Sequence, residues 1–227
     1  MMGTTVGTEP RFSWSYSQLK NFESCPRRFQ AYSITKEVIE PESDALRQGN
    51  ALHTAFEQRV TKGVDLPLGM GMHEGMLAKL AAAPGAIHAE QKLALTPAFK
   101  PAAWFGKDTW FRTVVDYTNI RDDRSATLLD YKTGKPASDT TQLALMAATL
   151  FAHQRKVDRV KAALVFVAYG QVERREYVRD DVTAIWSKVL PRVKKLWEAR
   201  HEDVYPPKPG ALCKRWCAVR SCPFCGK

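Results

Sequence analysis

The segment that most constrains the fold is an apolar stretch, a helix-like stretch and a second apolar stretch in succession. Residues 126–134 (ATLLDYKTG) and 160–170 (VKAALVFVAYG) are typical of strands, because aliphatic and aromatic residues dominate both. Between them, residues 138–156 are typical of a helix capped by Ser138 or Asp139. A strand, a helix and a strand in this order indicate a parallel crossover. We therefore predict an α/β fold with a central mixed β-sheet flanked by helices.

Three further strands and a long helix complete this prediction. Residues 88–97, 110–120 and 171–179 are also typical of strands, and the last of them follows Gly170. Residues 181–203 are amphipathic at helical spacing and contain Pro191, so we predict a long helix that is kinked near this proline.

Two amphipathic helices are predicted nearer the start of the chain. In the first, Ser15 or Ser17 is the N-cap, and Pro26 interrupts the helix. In the second, residues 44–60, one face collects Leu46, Gly49, His53, Phe56 and Val60. This face is apolar apart from its histidine, so we expect His53 to point at the core.

Composition limits the class of protein. The chain has 227 residues, of which 44% are hydrophobic, and this is enough to bury a core as one domain. The opening residues show no basic segment followed by an apolar run, and no window is apolar enough for a membrane span. A formal net charge of +10 favours a polyanionic partner, since cationic side chains release counterions when they bind phosphates.

Two acids and an amine follow aliphatic pairs in neighbouring predicted strands. Asp116 comes after two valines, and Asp130 comes after two leucines, with Lys132 two residues later. If both strands finish on their carboxylates, the three groups meet at one end of the sheet. Carboxylates in such a site repel each other unless a cation neutralises them, and oxygen ligands suit magnesium or manganese. The alternative, a surface salt bridge between Asp130 and Lys132, contributes little and leaves Asp116 unexplained.

The cysteines indicate a second metal site. The chain has five cysteines, and four of them lie in the last fifteen residues, at Cys213, Cys217, Cys222 and Cys225, whereas Cys25 is far away. An odd number in this arrangement argues against a disulfide framework. The four C-terminal thiolates suit a zinc knuckle, or Cys25 joins three of them to hold an iron–sulfur cluster. The spacing by itself slightly favours zinc.

The ordered series of motifs resembles the PD-(D/E)xK nucleases. Asp116 followed by Asp130-Tyr131-Lys132 is similar to their signature. Within this superfamily, the chain resembles the RecB-type branch that includes the CRISPR-associated exonucleases. The supporting motifs are SxSQLKNFESCPRRF, GNALHTAFE with His53, Glu90 on the first core strand, QLALMAATL with Gln142, and the C-terminal cysteines after YPPKPG. The resemblance implies a restriction-endonuclease-like core.

The resemblance also implies roles for individual residues. The magnesium or manganese ligands would be His53, Asp116, Asp130 and the backbone carbonyl of Tyr131, with Glu90 as a further candidate. Lys132 would act on the attacking water, and Gln142 would orient Lys132 or the substrate strand. Arg27 and Arg28 would contact DNA phosphates.

A structural [4Fe-4S] cluster is a further implication of the resemblance. Its ligands would be Cys25, Cys213, Cys217 and Cys222, with Cys225 as the substitute for Cys222, so that the cluster joins the N- and C-terminal segments. We expect residues 1–227 to form a single nuclease domain. Its parts would be N-terminal helices at 12–60, a catalytic core at 86–170, and a C-terminal helix and cysteine cluster at 180–227.

These inferences predict a divalent-metal-dependent DNA exonuclease. It would act on single- or double-stranded DNA ends in recombination, repair or end resection, alongside recombination or replication proteins, in the cytoplasm of a prokaryotic or phage-infected cell. The alternatives are a structure-specific DNA endonuclease, a nuclease that acts on RNA, and a non-catalytic DNA-binding protein with a zinc knuckle.

Overall fold

A six-stranded mixed sheet forms the centre of the computed structural model, which describes residues 12–39 and 42–226. Its strands are β1 (Trp14–Ser15), β2 (Ala86–Leu95), β3 (Phe111–Ile120), β4 (Ser125–Lys132), β5 (Arg159–Phe166) and β6 (Gln171–Val178). β4 and β5 are parallel, and the pairs β2–β3, β3–β4 and β5–β6 are antiparallel. The predicted mixed sheet with a parallel crossover is confirmed. The start of the chain, where no leader is expected, lies outside the described residues.

Helices flank this sheet. They are α1 (Tyr16–Ser24), α2 (Pro26–Phe29), α3 (Asp44–Lys62), α4 (Glu74–Ala81), α5 (Thr141–His153), α6 (Asp181–Glu202) and α7 (Ala211–Arg215), with a π-helix at Gln30–Ile34 and a 3₁₀ turn at Gly71–His73. Consecutive residues of a strand point to opposite faces. Accordingly, Leu128 of β4 packs in a cluster with α5, and its neighbour Leu129 packs in a cluster with α3 and α4.

β1 and β4 share one edge of β3. Since β2 pairs along the other edge from Phe111 to Ile120, both of these strands must lie on the opposite side. β1 pairs only with Phe111 and Arg112, and β4 pairs only with residues 117–120. Residues 113–116 of β3 therefore have no strand partner on this edge, and the sheet is open there.

The helix starts follow local capping chemistry, with one correction. Ser15 is the N-cap of α1, and it forms a capping box with Gln18. The prediction that Ser138 or Asp139 caps α5 is wrong, because the N-cap residue is Thr140. Asp139 instead lies just outside the helix, where its Oδ1 accepts the backbone N–H of Thr141 at 3.0 Å.

The structure refines the predictions for α3 and α6. In α3, Phe56 and Val60 are buried as predicted, but Leu46 is 53% exposed, so the first turn of the helix extends beyond the core. α6 runs through Pro191 without interruption. None of the helices in the described residues is both long and apolar enough to span a membrane.

Gly85 enters β2 with a backbone that other residues tolerate poorly. Its φ is +124°, and an added Cβ would lie 2.5 Å from the carbonyl oxygen of Ile120. We expect Gly85→Ala to lower the free energy of unfolding by at least about 2 kcal/mol, measured by urea denaturation. The control is Gly75→Ala in α4, where an added Cβ meets nothing within 4 Å and the change should be below about 1 kcal/mol. Equal stability of the two variants would contradict this account.

Candidate active site

The two aspartates meet because β3 and β4 are antiparallel. The last backbone pair between the strands is Tyr117 with Leu129, and the next step of this register puts Asp116 opposite Asp130. The predicted strand to residue 120 is confirmed, but Asp116 does not end it, because β3 runs from Phe111 to Ile120. In an antiparallel pair, two residues at the ends of their strands would lie at opposite ends of the ladder. The acids meet where the ladder stops.

The carboxylate of Asp116 takes the place of a backbone acceptor for Tyr131 where the β3–β4 pairing ends. Its Oδ2 accepts the backbone N–H of Tyr131 at 2.6 Å. This side chain is buried, and a buried backbone N–H without an acceptor would be costly. The contact therefore holds the carboxylate in place at the open edge of β3.

Glu90 reaches the same position from the other side of β3. The β2–β3 register places it opposite Asp116, between the pairs of Ala89 with Tyr117 and Gln91 with Val115. Its φ is +47°, which is uncommon for any residue other than glycine and costs about 1–3 kcal/mol. This irregular backbone coincides with a change of face along β3.

The change of face is visible in the packing of β3. Residues two apart in a regular strand share one face. However, Val115 packs in the cluster that contains α5, and Tyr117 packs in the cluster that contains α3. Asp116 lies at the switch between them, so it is accessible to groups from both layers of helices.

His53 completes an acidic cluster from α3. Its Nδ1 lies 3.3 Å from Glu90 Oε1 and 3.3 Å from Asp116 Oδ1. Hydrogen bonds to Asp116 and Glu90 raise the pKa of His53 to about 10, and burial opposes this shift. The two carboxylates therefore favour the charged form of the imidazole. The helical prediction that His53 faces inward agrees with this position.

Asp130, Lys132 and Gln142 form a second group next to the first. Lys132 Nζ lies 2.6 Å from Asp130 Oδ2 and donates to Gln142 Oε1 at 2.9 Å, while Gln142 Nε2 donates to Asp130 Oδ1 at 2.8 Å. Burial raises the pKa of Asp130 to about 6, with Asp116 adding to the shift and Lys132 opposing it. An ammonium group has three N–H donors, so Lys132 keeps one for another partner.

The donor set fits a divalent cation. One ligand atom from each of His53, Glu90 and Asp116 lies within 4.8 Å of the other two, and this is the sole such group of His, Cys, Asp and Glu in the described part of the chain. Asp130 Oδ2 is buried and lies 2.6 Å from Lys132 Nζ, which leaves a further lone pair on this oxygen. Oxygen atoms with free lone pairs beside an imidazole are ligands for magnesium or manganese.

A groove of about 580 Å³ opens onto these residues. Asp116, Asp130, Lys132 and Gln142 line it on one side. Its other walls come from the segment 13–20 and from Trp104, Arg112, Thr113 and Val114. The groove thus occupies the gap between β1 and β4 on the edge of β3.

Sequence reasoning missed the contacts that join the N-terminal wall to the loop before α5. Tyr16 Oη donates to Asp139 Oδ2, and Lys20 Nζ donates to the same oxygen at 3.1 Å. Hydrogen bonds from Tyr16, Thr141 and Lys20 keep the pKa of Asp139 below its usual range, against burial, which would raise it. Over a hundred residues separate the partners in the chain, so no local pattern could have indicated them.

The structure brings the first cysteine next to the C-terminal segment. Cys25 Sγ accepts the backbone N–H of Lys208 at 3.4 Å, and Arg27 donates to Ser221 Oγ at 2.6 Å. All five cysteines are free thiols of intermediate exposure. Arg27 also pairs with Glu37, and the DNA contacts of Arg27 and Arg28 stay predictions.

Comparison with known proteins agrees with this fold. A candidate exonuclease from Eubacterium rectale is similar in structure, with a TM-score of 0.50 and 14% sequence identity over 88% of this chain and 85% of that chain. The crystal structure of SSO0001 gives a TM-score of 0.43 at 13% identity, over 96% of this chain and 89% of that one. A search of curated proteins finds no match. At 14% identity, the match to the Eubacterium rectale protein shows the fold alone.

A family model for the PD-(D/E)XK nuclease superfamily matches residues 13–223, which include every residue of the acidic cluster and of the groove. The match covers nearly the whole chain, and the chain therefore belongs to the PD-(D/E)XK nuclease superfamily.

Proposed function

We propose that this protein is a magnesium- or manganese-dependent DNA exonuclease. The observation that carries the proposal is the convergence of His53, Glu90 and Asp116 within 4.8 Å of one another, beside a lysine on the neighbouring strand. This set combines ligands for a hard cation with a positively charged group for the reacting phosphate. Membership of a nuclease superfamily gives that chemistry a substrate class, the phosphodiester.

The metal ligands in this proposal are His53, Asp116, Asp130 and the backbone carbonyl of Tyr131, with Glu90 beside them. A bound divalent cation supplies Lewis-acid polarisation of the phosphate and a lower pKa for water. Asp116 is positioned for its role by the N–H of Tyr131, which it accepts at 2.6 Å. His53 is held by α3 against both Glu90 and Asp116.

Lys132 acts on the attacking water in the proposed reaction. Its ammonium group is held by Asp130 and Gln142. Its side chain is 34% exposed and lines the groove. Water attacks phosphorus and loses a proton, the bond from phosphorus to the 3′ oxygen breaks, and the 3′ oxygen takes up a proton to become a hydroxyl. The phosphate stays on the 5′ oxygen of the other product. A positioned cationic donor stabilises the charge that develops on the phosphoryl oxygens.

DNA as the substrate is supported by charge. The formal net charge is +10, and the groove exposes cationic side chains such as Lys20 and Arg112 beside the acids. Action at DNA ends, in recombination, repair or resection with other recombination or replication proteins, is proposed from the motif resemblance. A structure-specific endonuclease would share every residue of the site and differ in cutting closed circles.

We also propose that a structural [4Fe-4S] cluster joins the two ends of the chain. Cys25 lies beside Lys208, and Arg27 beside Ser221, so hydrogen bonds already link the segments that carry the proposed ligands. The ligands are Cys25, Cys213, Cys217 and Cys222. Cys225 Sγ donates to the carbonyl of Cys217 at 3.2 Å, which favours it as the thiol left over.

The first prediction from the proposed function tests the nuclease activity. Asp116→Asn and Asp130→Asn should each lower cleavage of linear DNA in manganese by more than about a hundredfold, because a neutral amide is a poorer cation ligand. The matched control is Asp122→Asn, an exposed acid in the β3–β4 connection, which should keep wild-type activity. Linear and closed circular DNA are compared on gels. Wild-type protein that cuts neither would refute the nuclease, and equal cutting of circles would favour the endonuclease.

A second prediction concerns Lys132. Lys132→Ala should reduce kcat by about 100- to 1000-fold while leaving the affinity for manganese within a fewfold, since its proposed role concerns the reaction rather than the ligand set. Lys135→Ala, at an exposed position three residues later, is the control. Single-turnover kinetics and manganese titration give both quantities. Full activity of Lys132→Ala would show that Lys132 and Asp130 form only a salt bridge and that the lysine has no role in the reaction.

The third prediction separates the proposed cluster from a zinc knuckle. Protein purified without oxygen should be brown and contain iron, and Cys25→Ser should remove both properties, because a [4Fe-4S] cluster needs four thiolates. Cys225→Ser should keep the colour. A colourless, zinc-containing protein whose zinc content is unchanged in Cys25→Ser would contradict the cluster.

A further inference from the structure

An aromatic pair, Trp104 and Phe105, lies next to Arg112 at one wall of the groove. Trp104 lines the groove together with Asp116 and Asp130. Phe105, the next residue, is 85% exposed, and its ring lies edge-on to that of Trp104 with the centroids 6.5 Å apart. No acid–base or metal role in the proposed reaction requires either ring.

Two cationic side chains accompany these rings. The guanidinium of Arg112 lies 5.8 Å from the Trp104 centroid and 5.7 Å from the Phe105 centroid, and Lys92 Nζ lies 5.9 Å from Trp104. Arg112 precedes Asp116 by four residues on β3, which corresponds to about 13 Å along the strand. Positive charge and flat apolar surface therefore occur together, close to the acids.

The loop that presents the aromatic pair is held by hydrogen bonds. Arg112 Nε donates to the Trp104 carbonyl at 2.8 Å, and the buried Thr109 donates through its hydroxyl to the Ala103 carbonyl at 2.7 Å. Ala102 N–H also donates to the Ala94 carbonyl at 2.9 Å. These bonds fix the backbone of the loop before any ligand arrives, which lowers the entropy cost of ordering the loop on binding.

We propose that Trp104 and Phe105 form a stacking platform for the unpaired bases of a single-stranded DNA end, with Arg112 and Lys92 contacting its phosphates. Stacked aromatic rings beside cationic side chains are how proteins hold single strands without reading their sequence. Bases inside a duplex are already stacked on each other, so an exposed ring such as Phe105 has no base face to meet there. This inference rests on the proposed nuclease for its choice of DNA.

The test is equilibrium binding of labelled oligonucleotides to the full chain without divalent metal, so that no cleavage occurs. Phe105→Leu keeps an apolar side chain but loses the ring, and it should weaken binding of a single strand by about 5- to 100-fold. Phe105→Trp should restore the affinity. Trp197→Ala removes an exposed aromatic residue from α6, outside the groove lining, and should change nothing.

A fluorescent 2-aminopurine base near the end of the strand supplies a readout specific to stacking. Its emission should be quenched on binding to the wild type and to Phe105→Trp, but not to Phe105→Leu. Unchanged affinity and quenching in Phe105→Leu, or an equal loss on blunt duplex, would overturn the platform. Tighter Phe105-dependent binding of an RNA strand would overturn the choice of DNA.

The binding test and the cleavage test fail separately. If the wild type cuts no DNA but binds a single strand through Phe105, the stacking platform is supported and the nuclease proposal is refuted. If the wild type cuts DNA and Phe105→Leu binds and quenches as the wild type does, the nuclease stands and the platform falls.

Discussion

The hydrogen bond from the backbone of Tyr131 to the carboxylate of Asp116 is the contact on which the rest of the site depends. At 2.6 Å, it joins β3 and β4 at the point where their backbone ladder ends. Without it, a buried N–H would lack an acceptor and the carboxylate would lack an orientation. Because the strands part here, the edge of β3 is left open, and the groove occupies this opening. This contact therefore links β3 to β4 where their backbone pairing ends, and it holds the Asp116 carboxylate at the open edge of β3.

The electrostatics of the site follow from crowding like charges in a partly buried place. Glu90, Asp116 and Asp130 occupy adjacent positions across three strands. Two basic side chains face them: His53, whose pKa the carboxylates raise to about 10, and Lys132, 2.6 Å from Asp130. The backbone of Glu90, at a φ of +47°, is strained in the same place. Strain and opposed charges near one another are typical of a functional site rather than of a structural ion pair.

Much of the fold was predictable because local patterns agreed with it. The strands and the crossover follow from alternation and from aliphatic runs, and Ser15 caps α1 as its side chain suggests. The errors occurred where tertiary contacts prevail. Asp139 is not the cap of α5, because it lies before Thr140 and binds Tyr16 and Lys20. Leu46 continues a helical stripe but is exposed, since the helix extends beyond the sheet at that turn.

The sequence by itself determined which residue types carry chemistry: aspartates after aliphatic pairs, a lysine two residues on, a histidine on an apolar helix face, and five cysteines. These features can be read from the sequence because each depends on residues that are close together in the chain. Only the tertiary structure decided that Asp116 meets Asp130 from within its strand, that Glu90 lies with Asp116 and His53, and that Trp104 and Arg112 share their groove. Antiparallel register, the positive φ of Glu90 and the split edge of β3 produce these meetings. They join residues distant in the chain, and local periodicity does not encode such contacts.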